Sequence, residues 1–313
     1  MNIMNRKVTV VGAGNVGGMA AMRVYESGLA RVALIDIVES LARAKAEDLQ
    51  DGQAVLGVNN RIEASGDLSL MEGSDVIVVT AGLPRKPGMT REDLLAKNAA
   101  IIEDVCHGIT QFGQGAIVII VSNPLDALTY FAYRKTGFSR QRLFGMGPSL
   151  DGARFINLIA RQARVSPREV RARVIGSHGE TMLPLARLAT VRGKKITEIL
   201  GEADVEKLAK RVRQRGAEIV SLYGSGSAYY APSAAIFEIV AAILKREKQE
   251  IAVSVCLDGE YGLRDVAIGV PAIIGPNGIE DVVRLDLTAE EREALEASAK
   301  SIQDAIRLLP LSP

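Results

Sequence analysis

The 313-residue chain is predicted to be an α/β protein in which a doubly wound parallel sheet is followed by an α+β region. In the first half, runs rich in β-branched residues (KVTVV, RVALI, VIVV and IVII) alternate with longer amphipathic stretches. This alternation is typical of βαβ units, which build parallel sheets covered by helices on both faces. It ends near Phe144, and no Pro- or Ser-rich linker follows. We therefore expect two domains, residues 1–145 and 146–313, with a packed interface between them.

Hydrophobic spacing predicts the elements in chain order. Helices are predicted at residues 15–27, 41–55, 90–112, 149–165 and 204–223. Strands are predicted around a polar turn within residues 170–196 and over residues 251–262 and 266–279, and an amphipathic helix closes the chain. Thr90 is the predicted N-cap of the third helix, and Thr288 with Glu291 forms the predicted capping box of the last.

Composition excludes several classes of function. The net charge of +1, from 38 basic and 37 acidic residues, gives no global field that would recruit nucleic acid or an anionic membrane. No apolar run approaches the roughly 20 residues of a membrane span. The N-terminus leads directly into the first strand and leaves no room for a signal peptide, which predicts a cytoplasmic location. Cys106 and Cys256 lack metal-binding spacing, so we expect buried thiols and no metal site.

A glycine loop follows the first strand and opens the first helix. Gly12, Gly14 and Gly17 have the GxGxxG spacing, which permits a tight turn, close approach of amides to a pyrophosphate, and close packing of helix on strand. Asp36 ends the second strand 19 residues after Gly17 (36 − 17), where an acid binds an adenosine ribose and repels a 2′-phosphate. Together these signals predict a Rossmann domain that binds NAD rather than NADP; the alternative is a strand-end aspartate that caps the next turn. The predicted cofactor-binding residues of this region are Gly12, Gly14, Asn15, Val16, Gly17 and Asp36.

The chain has only two histidines, which narrows the search for a group that exchanges a proton near neutral pH. His107 lies in a predicted helix, where a surface or packing role is expected. His178 lies in a turn between two glycines, where a ligand can approach closely. Asp151 and Arg154 are three residues apart and share a helix face, so the carboxylate could orient the imidazole while the guanidinium binds a substrate carboxylate. The alternative is a solvated intrahelical ion pair and a solvated histidine.

Six motifs in order resemble the lactate/malate dehydrogenase family, and within it the lactate-dehydrogenase-like malate dehydrogenases of prokaryotes. They are GAGNVG, AGLPRKPGMTREDLLAKN, VSNPLDALTY, LDGARF, GSHGETM and GSGSAYYAP. The resemblance implies that His178 donates and accepts the proton, that Asp151 is its partner, and that Arg154 anchors the C1 carboxylate. It further implies that Arg91 polarises the substrate carbonyl, that Asn123 contacts substrate and nicotinamide, and that Asn98 and Val121 belong to the cofactor site. A homotetramer or homodimer and a role in the tricarboxylic acid cycle are also implied.

The loop AGLPRKPGMTR is the expected reader of the substrate's far end, and its prolines and glycines suit a lid that closes over the cofactor. The alternative is a solvated basic turn. By the resemblance, Arg85 stands where malate dehydrogenases carry arginine to pair with the second carboxylate, and Ala228 leaves room for a larger acid. The chain is therefore expected to oxidise (S)-malate reversibly to oxaloacetate with NAD. The alternatives are an L-lactate or broad 2-hydroxy acid dehydrogenase, and a non-catalytic nucleotide-binding module that would need the glycine loop but not the other groups.

Two segments depart from the family pattern. Pro148 and Ser149 precede the Asp and Arg pair in GMGPS, where a small apolar stretch is usual. Ser177 and Glu180 flank the histidine in GSHGE, where GGHGD is usual for the malate type. We expect these changes to affect the start of the helix, subunit contacts and fine geometry rather than the reaction.

Overall fold

The computed structural model describes residues 6–84 and 89–311. Its strands are β1 (Lys7–Val11), β2 (Arg31–Ile35), β3 (Ile62–Ser65), β4 (Val76–Val79), β5 (Ile117–Ile120), β6 (Leu143–Gly145), β7 (Val170–Arg171), β8 (Val174–Ile175), β9 (Leu183–Pro184), β10 (Thr190–Val191), β11 (Lys194–Lys195), β12 (Gln249–Asp258), β13 (Arg264–Gly275) and β14 (Gly278–Val282). Its α-helices are α1 (Asn15–Ser27), α2 (Glu39–Asp51), α3 (Gln53–Leu56), α4 (Arg91–Phe112), α5 (Leu125–Thr136), α6 (Pro148–Ala163), α7 (Ile196–Ile199), α8 (Glu202–Tyr223), α9 (Tyr230–Lys245) and α10 (Ala289–Ile306).

Within these described residues, nine strands form one sheet in the order β14-β13-β12-β6-β5-β4-β1-β2-β3. The six neighbouring strands β6, β5, β4, β1, β2 and β3 pair in parallel. Strands β12, β13 and β14 add an antiparallel extension beside β6. The strand order reverses between β1 and β4, and in open α/β sheets ligands bind outside the carboxyl ends of the strands at such a switch point. The predicted doubly wound Rossmann domain and the α+β region after it are confirmed.

The parallel strands form because both of their faces are covered. Every residue of β1, β4 and β5 is buried, which explains why β4 and β5 read as continuous apolar runs rather than alternating ones. The main apolar core extends from this sheet into the second half, and a second cluster fills the space between α6, α8 and the small strands around them. The buried thiols predicted for Cys106 and Cys256 are confirmed.

The two halves share the large sheet. Gly145 at the end of β6 pairs with Ser254 of β12, and a Cβ at Gly145 would lie 2.5 Å from Thr129 Oγ1 and 3.0 Å from Ser254 Cβ. Only a residue without a side chain allows this close approach. The expected packed interface is therefore confirmed as a continuous sheet.

Most predicted elements are confirmed. Helix α1 has the predicted bounds, and the caps at Thr90 and Thr288 are present as full capping boxes. The helix predicted over residues 41–55 is interrupted at Gly52, which separates α2 from α3. In the part of the chain that the structure describes, no helix is long and apolar enough to cross a membrane.

Candidate active site

The glycine loop lies at the carboxyl end of β1, beside the switch point. Gly12 has φ +103°, a conformation that favours glycine. A Cβ at Gly17 would overlap the carbonyl oxygen of Gly12 and lie 2.6 Å from Thr80 Oγ1, so α1 packs on the loop with no space for a side chain. At Gly14 an added Cβ would meet nothing within 4 Å. The loop is thus tight on its protein side and open where a ligand would approach.

Two side chains bind the backbone of the loop: Lys45 binds carbonyl oxygens, and Asp36 binds an amide. Lys45 Nζ donates to the carbonyl oxygens of Ala13 at 2.7 Å and Gly14 at 3.0 Å. Asp36 at the end of β2 accepts from Ala13 N at 2.6 Å through Oδ2 and from Val38 N at 2.9 Å through Oδ1. Within the described residues, no side chain caps the start of α1, so its first amides can bind an anion. This arrangement fits a dinucleotide with its pyrophosphate on the loop and its ribose near Asp36.

His178, Asp151 and Arg154 are brought into direct contact. His178 Nδ1 lies 2.7 Å from Asp151 Oδ2, and Arg154 Nη1 donates to Asp151 Oδ1 at 3.2 Å. The carboxylate is fully buried, whereas 14% of the His178 side chain is exposed. Because Nδ1 faces the carboxylate, Nε2 is the ring nitrogen that can exchange a proton with a ligand.

The charges around His178 favour its protonated form. Burial lowers the pKa of His178, but the carboxylates of Asp151 and Asp126 more than offset this effect, and the net pKa is raised above its ordinary value. Burial likewise lowers the pKa of the Arg154 guanidinium, with a smaller contribution from the charge of Arg215, while Asp151 opposes both. The site therefore combines a basic imidazole with a partly desolvated cation.

Arg154 also has unused hydrogen-bonding capacity. Within the described residues, its buried Nε has no hydrogen-bond partner. Unpaired buried donors are costly unless a ligand satisfies them. A carboxylate bound in the bidentate manner would do so.

Arg91 is the first residue of α4 and lies at the edge of the site. Its Nη2 donates to Glu180 Oε1 at 2.6 Å, and both side chains are more than half exposed. Glu180, one of the departures from the family pattern, thus pairs with a residue predicted to bind substrate. Arg85 lies outside the described residues.

Asn98, Val121 and Asn123 lie together near the carboxyl ends of β4 and β5. Asn98 is almost fully buried and donates from Nδ2 to the carbonyl oxygen of Asn123 at 2.6 Å, while its Oδ1 accepts from Leu83 N at 2.8 Å. Val121 follows β5 directly, with its amide bonded to Val79 O at 2.9 Å. Asn98 therefore joins the start of the loop AGLPRKPGMTR to the segment after β5.

The first departure is accommodated by the backbone. Helix α6 starts at Pro148, where proline is favoured because the first helical amide needs no partner. A Cβ at Gly269 of β13 would lie 2.6 Å from Pro148 Cγ, so this glycine provides the space for the proline ring. Asp151 remains in the first turn, so the expected alteration at the start of the helix leaves its ion pair intact.

Sequence reasoning missed several groups that support the site. Lys45 and Thr80 bind the glycine loop. Asp126 accepts from the backbone of His178, and Ser254 donates to Asp126. A lysine in an amphipathic helix, a threonine after a strand and a serine in a buried strand carry no local signal for such contacts. Asp126 lies within the VSNPLD motif, and its acidic side chain in an otherwise apolar helix start was the one available indication.

Comparison with known proteins places these features in a family. A sequence profile described as the lactate/malate dehydrogenase NAD binding domain matches residues 6–145, and one described as the lactate/malate dehydrogenase alpha/beta C-terminal domain matches residues 148–309. The chain belongs to the lactate/malate dehydrogenase family. This membership confirms the predicted resemblance, the NAD cofactor and an NAD-dependent oxidoreductase.

Individual relatives agree with this result. A malate dehydrogenase of Trichormus variabilis is 46% identical over 300 residues, which cover 96% of this chain and 93% of the relative. The structure of Cryptosporidium parvum malate dehydrogenase superposes with a TM-score of 0.95 at 36% identity, over 98% of this chain and 99% of the other. A lactate dehydrogenase of the same organism, complexed with lactic acid and the cofactor, has the same TM-score of 0.95 at 32% identity, over 99% and 100%. The family fold is therefore shared by both kinds of enzyme, and the side chains of the site must decide the substrate.

Proposed function

We propose that the chain is an NAD-dependent malate dehydrogenase that interconverts (S)-malate and oxaloacetate. The observation that carries the proposal is the buried contact of Asp151 with both His178 and Arg154, which joins a proton-exchanging group to a carboxylate-binding group. The names of the relatives and the predicted dicarboxylate reader support the substrate. No nucleic acid or membrane partner is required.

Proton transfer is assigned to His178. In malate oxidation, neutral Nε2 accepts the proton of the C2 hydroxyl, and Asp151 stabilises the imidazolium that forms. When bound, NAD supplies the acceptor for the hydride of C2. In oxaloacetate reduction the imidazolium is the acid, so this direction requires protonated His178.

Arginines orient the substrate in this proposal. Arg154 binds the C1 carboxylate with its unpaired Nε and its guanidinium fork. Arg91 leaves Glu180 to polarise the carbonyl oxygen as the lid closes. Arg85 pairs with the second carboxylate, and Asn123 contacts both substrate and nicotinamide.

The cofactor residues are assigned by the same reasoning. The amides of the glycine loop and the start of α1 would hold the pyrophosphate, and Asp36 would bind the ribose. The residues proposed to form this cofactor site are Gly12, Gly14, Asn15, Val16, Gly17, Asp36, Asn98, Val121 and Asn123. We also propose a boundary between the NAD-binding and catalytic domains at residues 145 and 146, supported by the ranges of the two family profiles. A homotetramer or homodimer and a role in the tricarboxylic acid cycle remain predictions from the resemblance, and a cytoplasmic location remains a prediction from the N-terminal sequence.

Substrate choice provides the test. We expect kcat/KM with NADH to be higher for oxaloacetate than for pyruvate by roughly 30-fold or more, because leaving a buried charge unpaired costs about 2 to 5 kcal/mol. Arg85→Gln should remove most of this preference. The measurement is the initial rate of NADH oxidation with each acid.

Arg61→Gln is the matched control, because Arg61 is exposed immediately before β3 and its loss changes the charge equally. It should leave the preference unchanged. Equal rates with pyruvate and oxaloacetate in the unmodified protein would favour a lactate or broad 2-hydroxy acid dehydrogenase instead.

A further inference from the structure

Asp126 is a buried carboxylate beside the candidate active site that the proposed mechanism does not use. It lies in the first turn of α5 and is 5% exposed. Its Oδ2 accepts from the backbone N of His178 at 2.6 Å, and its Oδ1 accepts from Ser254 Oγ at 2.6 Å. One side chain therefore connects α5, strand β12 and the histidine segment.

The hydrogen bonds alone do not explain a carboxylate at this position. An asparagine could accept from His178 N through its oxygen and donate to the Ser254 hydroxyl through its amide nitrogen. A buried negative charge is costly unless it is paired. The charge therefore indicates a use beyond hydrogen bonding.

The surrounding charges identify its partner. Within the described residues, α6 presents Asp151 and Arg154 to His178, and α5 presents Asp126, whereas β12 contributes the uncharged Ser254. Asp151 repels Asp126, and Arg154 opposes protonation of the imidazole. The favourable interaction left to Asp126 is with the protonated ring of His178.

We propose that Asp126 is a positioning residue that fixes the main chain at His178 and, by its negative charge, keeps the imidazole in its protonated form. This inference rests on the proposed role of His178 in proton transfer. Burial raises the pKa of Asp126 to about 6, against the hydrogen bonds from Ser254 and His178. The charge of the protonated His178 ring lowers the pKa of Asp126, and the Asp126 carboxylate raises the pKa of His178, so each charged form favours the other.

The test is an NMR titration of the histidine ring signals, which needs neither substrate nor cofactor. The chain has only two histidines, and His107→Gln removes the signal of the exposed one and so assigns that of His178. Asp126→Asn keeps both hydrogen bonds and removes the charge. Asp258→Asn is the matched control, because it removes an equal charge from the exposed end of β12.

In Asp126→Asn we expect the titration midpoint of His178 to fall by about 1 pH unit, because the loss of a nearby opposite charge disfavours the imidazolium. The alkaline limb of kcat/KM for oxaloacetate should move to lower pH by the same amount, and Asp258→Asn should change neither quantity. An unchanged His178 midpoint in Asp126→Asn overturns the proposal. If Asp126→Asn does not fold, Ser254→Ala takes its place, because it removes one hydrogen bond that favours the ionised form of Asp126. The His178 midpoint should then fall by a smaller amount, and no fall overturns the proposal.

The two proposals fail differently. If the unmodified protein does not oxidise NADH with oxaloacetate, the proposed function is wrong, whatever the titration shows. If turnover is normal but the His178 midpoint does not respond to Asp126, only the positioning role is wrong.

Discussion

Replacing Asp151 by asparagine tests the core of the proposed mechanism. Asp151 accepts from His178 through one carboxylate oxygen at 2.7 Å and from Arg154 through the other at 3.2 Å. An asparagine has one oxygen and one NH2 group, so it cannot accept from both. Either Arg154 faces the NH2 group, or that group donates to Nδ1 and the neutral ring carries its proton on Nε2, where it cannot accept one from the substrate.

The magnitude follows from these two contacts. A hydrogen bond to a charged group contributes about 1.5 to 3 kcal/mol, which is roughly 10- to 150-fold in rate when it stabilises the imidazolium in the transition state. Displacement of Arg154 adds to this loss. We therefore expect kcat/KM for oxaloacetate at neutral pH to fall by about 100-fold or more in Asp151→Asn.

The pH dependence gives a second readout with a defined sign. The carboxylate favours the imidazolium, so its loss lowers the pKa of His178. Oxaloacetate reduction requires the protonated ring, so the loss of rate in Asp151→Asn should grow as pH rises through the lowered pKa of His178. Malate oxidation starts from the neutral ring, so its rate should show no such decline at high pH. The assay is the initial rate of NADH formation or loss from about pH 6 to 10.

Asp304→Asn is the matched control for this experiment. Asp304 forms the same kind of ion pair with Arg307, three residues on at 2.7 Å, but on the exposed face of α10. Its loss should leave the rate unchanged. A decrease of less than about threefold in Asp151→Asn, under roughly 0.7 kcal/mol, with the same alkaline limb as the unmodified protein, would refute the assigned role of the carboxylate.

Two further variants test the cofactor loop and the lid. Gly17→Ala should weaken NADH binding by about 10-fold or more in a fluorescence titration, because the added Cβ would overlap the carbonyl oxygen of Gly12 and must displace the loop. The control is Gly115→Ala, whose Cβ would meet nothing within 4 Å and which should bind NADH normally. Glu180→Gln should lower KM for oxaloacetate by up to about fivefold, because Arg91 no longer has a competing partner. Its Tm should change little, because an exposed ion pair contributes only about 0 to 1 kcal/mol. A higher KM would contradict this prediction.

The fold was predicted well where local patterns are strong. Runs rich in β-branched residues identified the parallel strands β1, β2, β4 and β5 but not β3 or β6, and helical spacing with cap residues identified α1, α4 and α10. Helices α5 and α9 were not predicted: α9 (Tyr230–Lys245) is apolar on most of its surface and buried, so it lacks the one-sided stripe that marks an amphipathic helix. The three-residue strand β6 is too short to give a pattern.

The candidate site was predicted as a set of residue types rather than as a set of contacts. The adjacency of Asp151 and Arg154 followed from helical spacing, and their approach to His178 was implied by the resemblance. The pairing of Arg91 with Glu180 was not foreseen, because these residues are 89 positions apart and both side chains look like ordinary surface charges.

The sequence alone determined the kind of protein and the chemical groups it carries. The succession of strands and helices along the chain, the glycine spacing and the ordered motifs depend on local geometry and composition, which neighbouring residues set among themselves. Only the tertiary structure decided which groups act on one another. Asp126 contacts His178, 52 positions away in the sequence, and Ser254, 128 positions away. Such contacts exist only once separate elements pack with a defined register. The physical reason is that hydrogen bonds and buried charges respond to displacements smaller than any local pattern encodes.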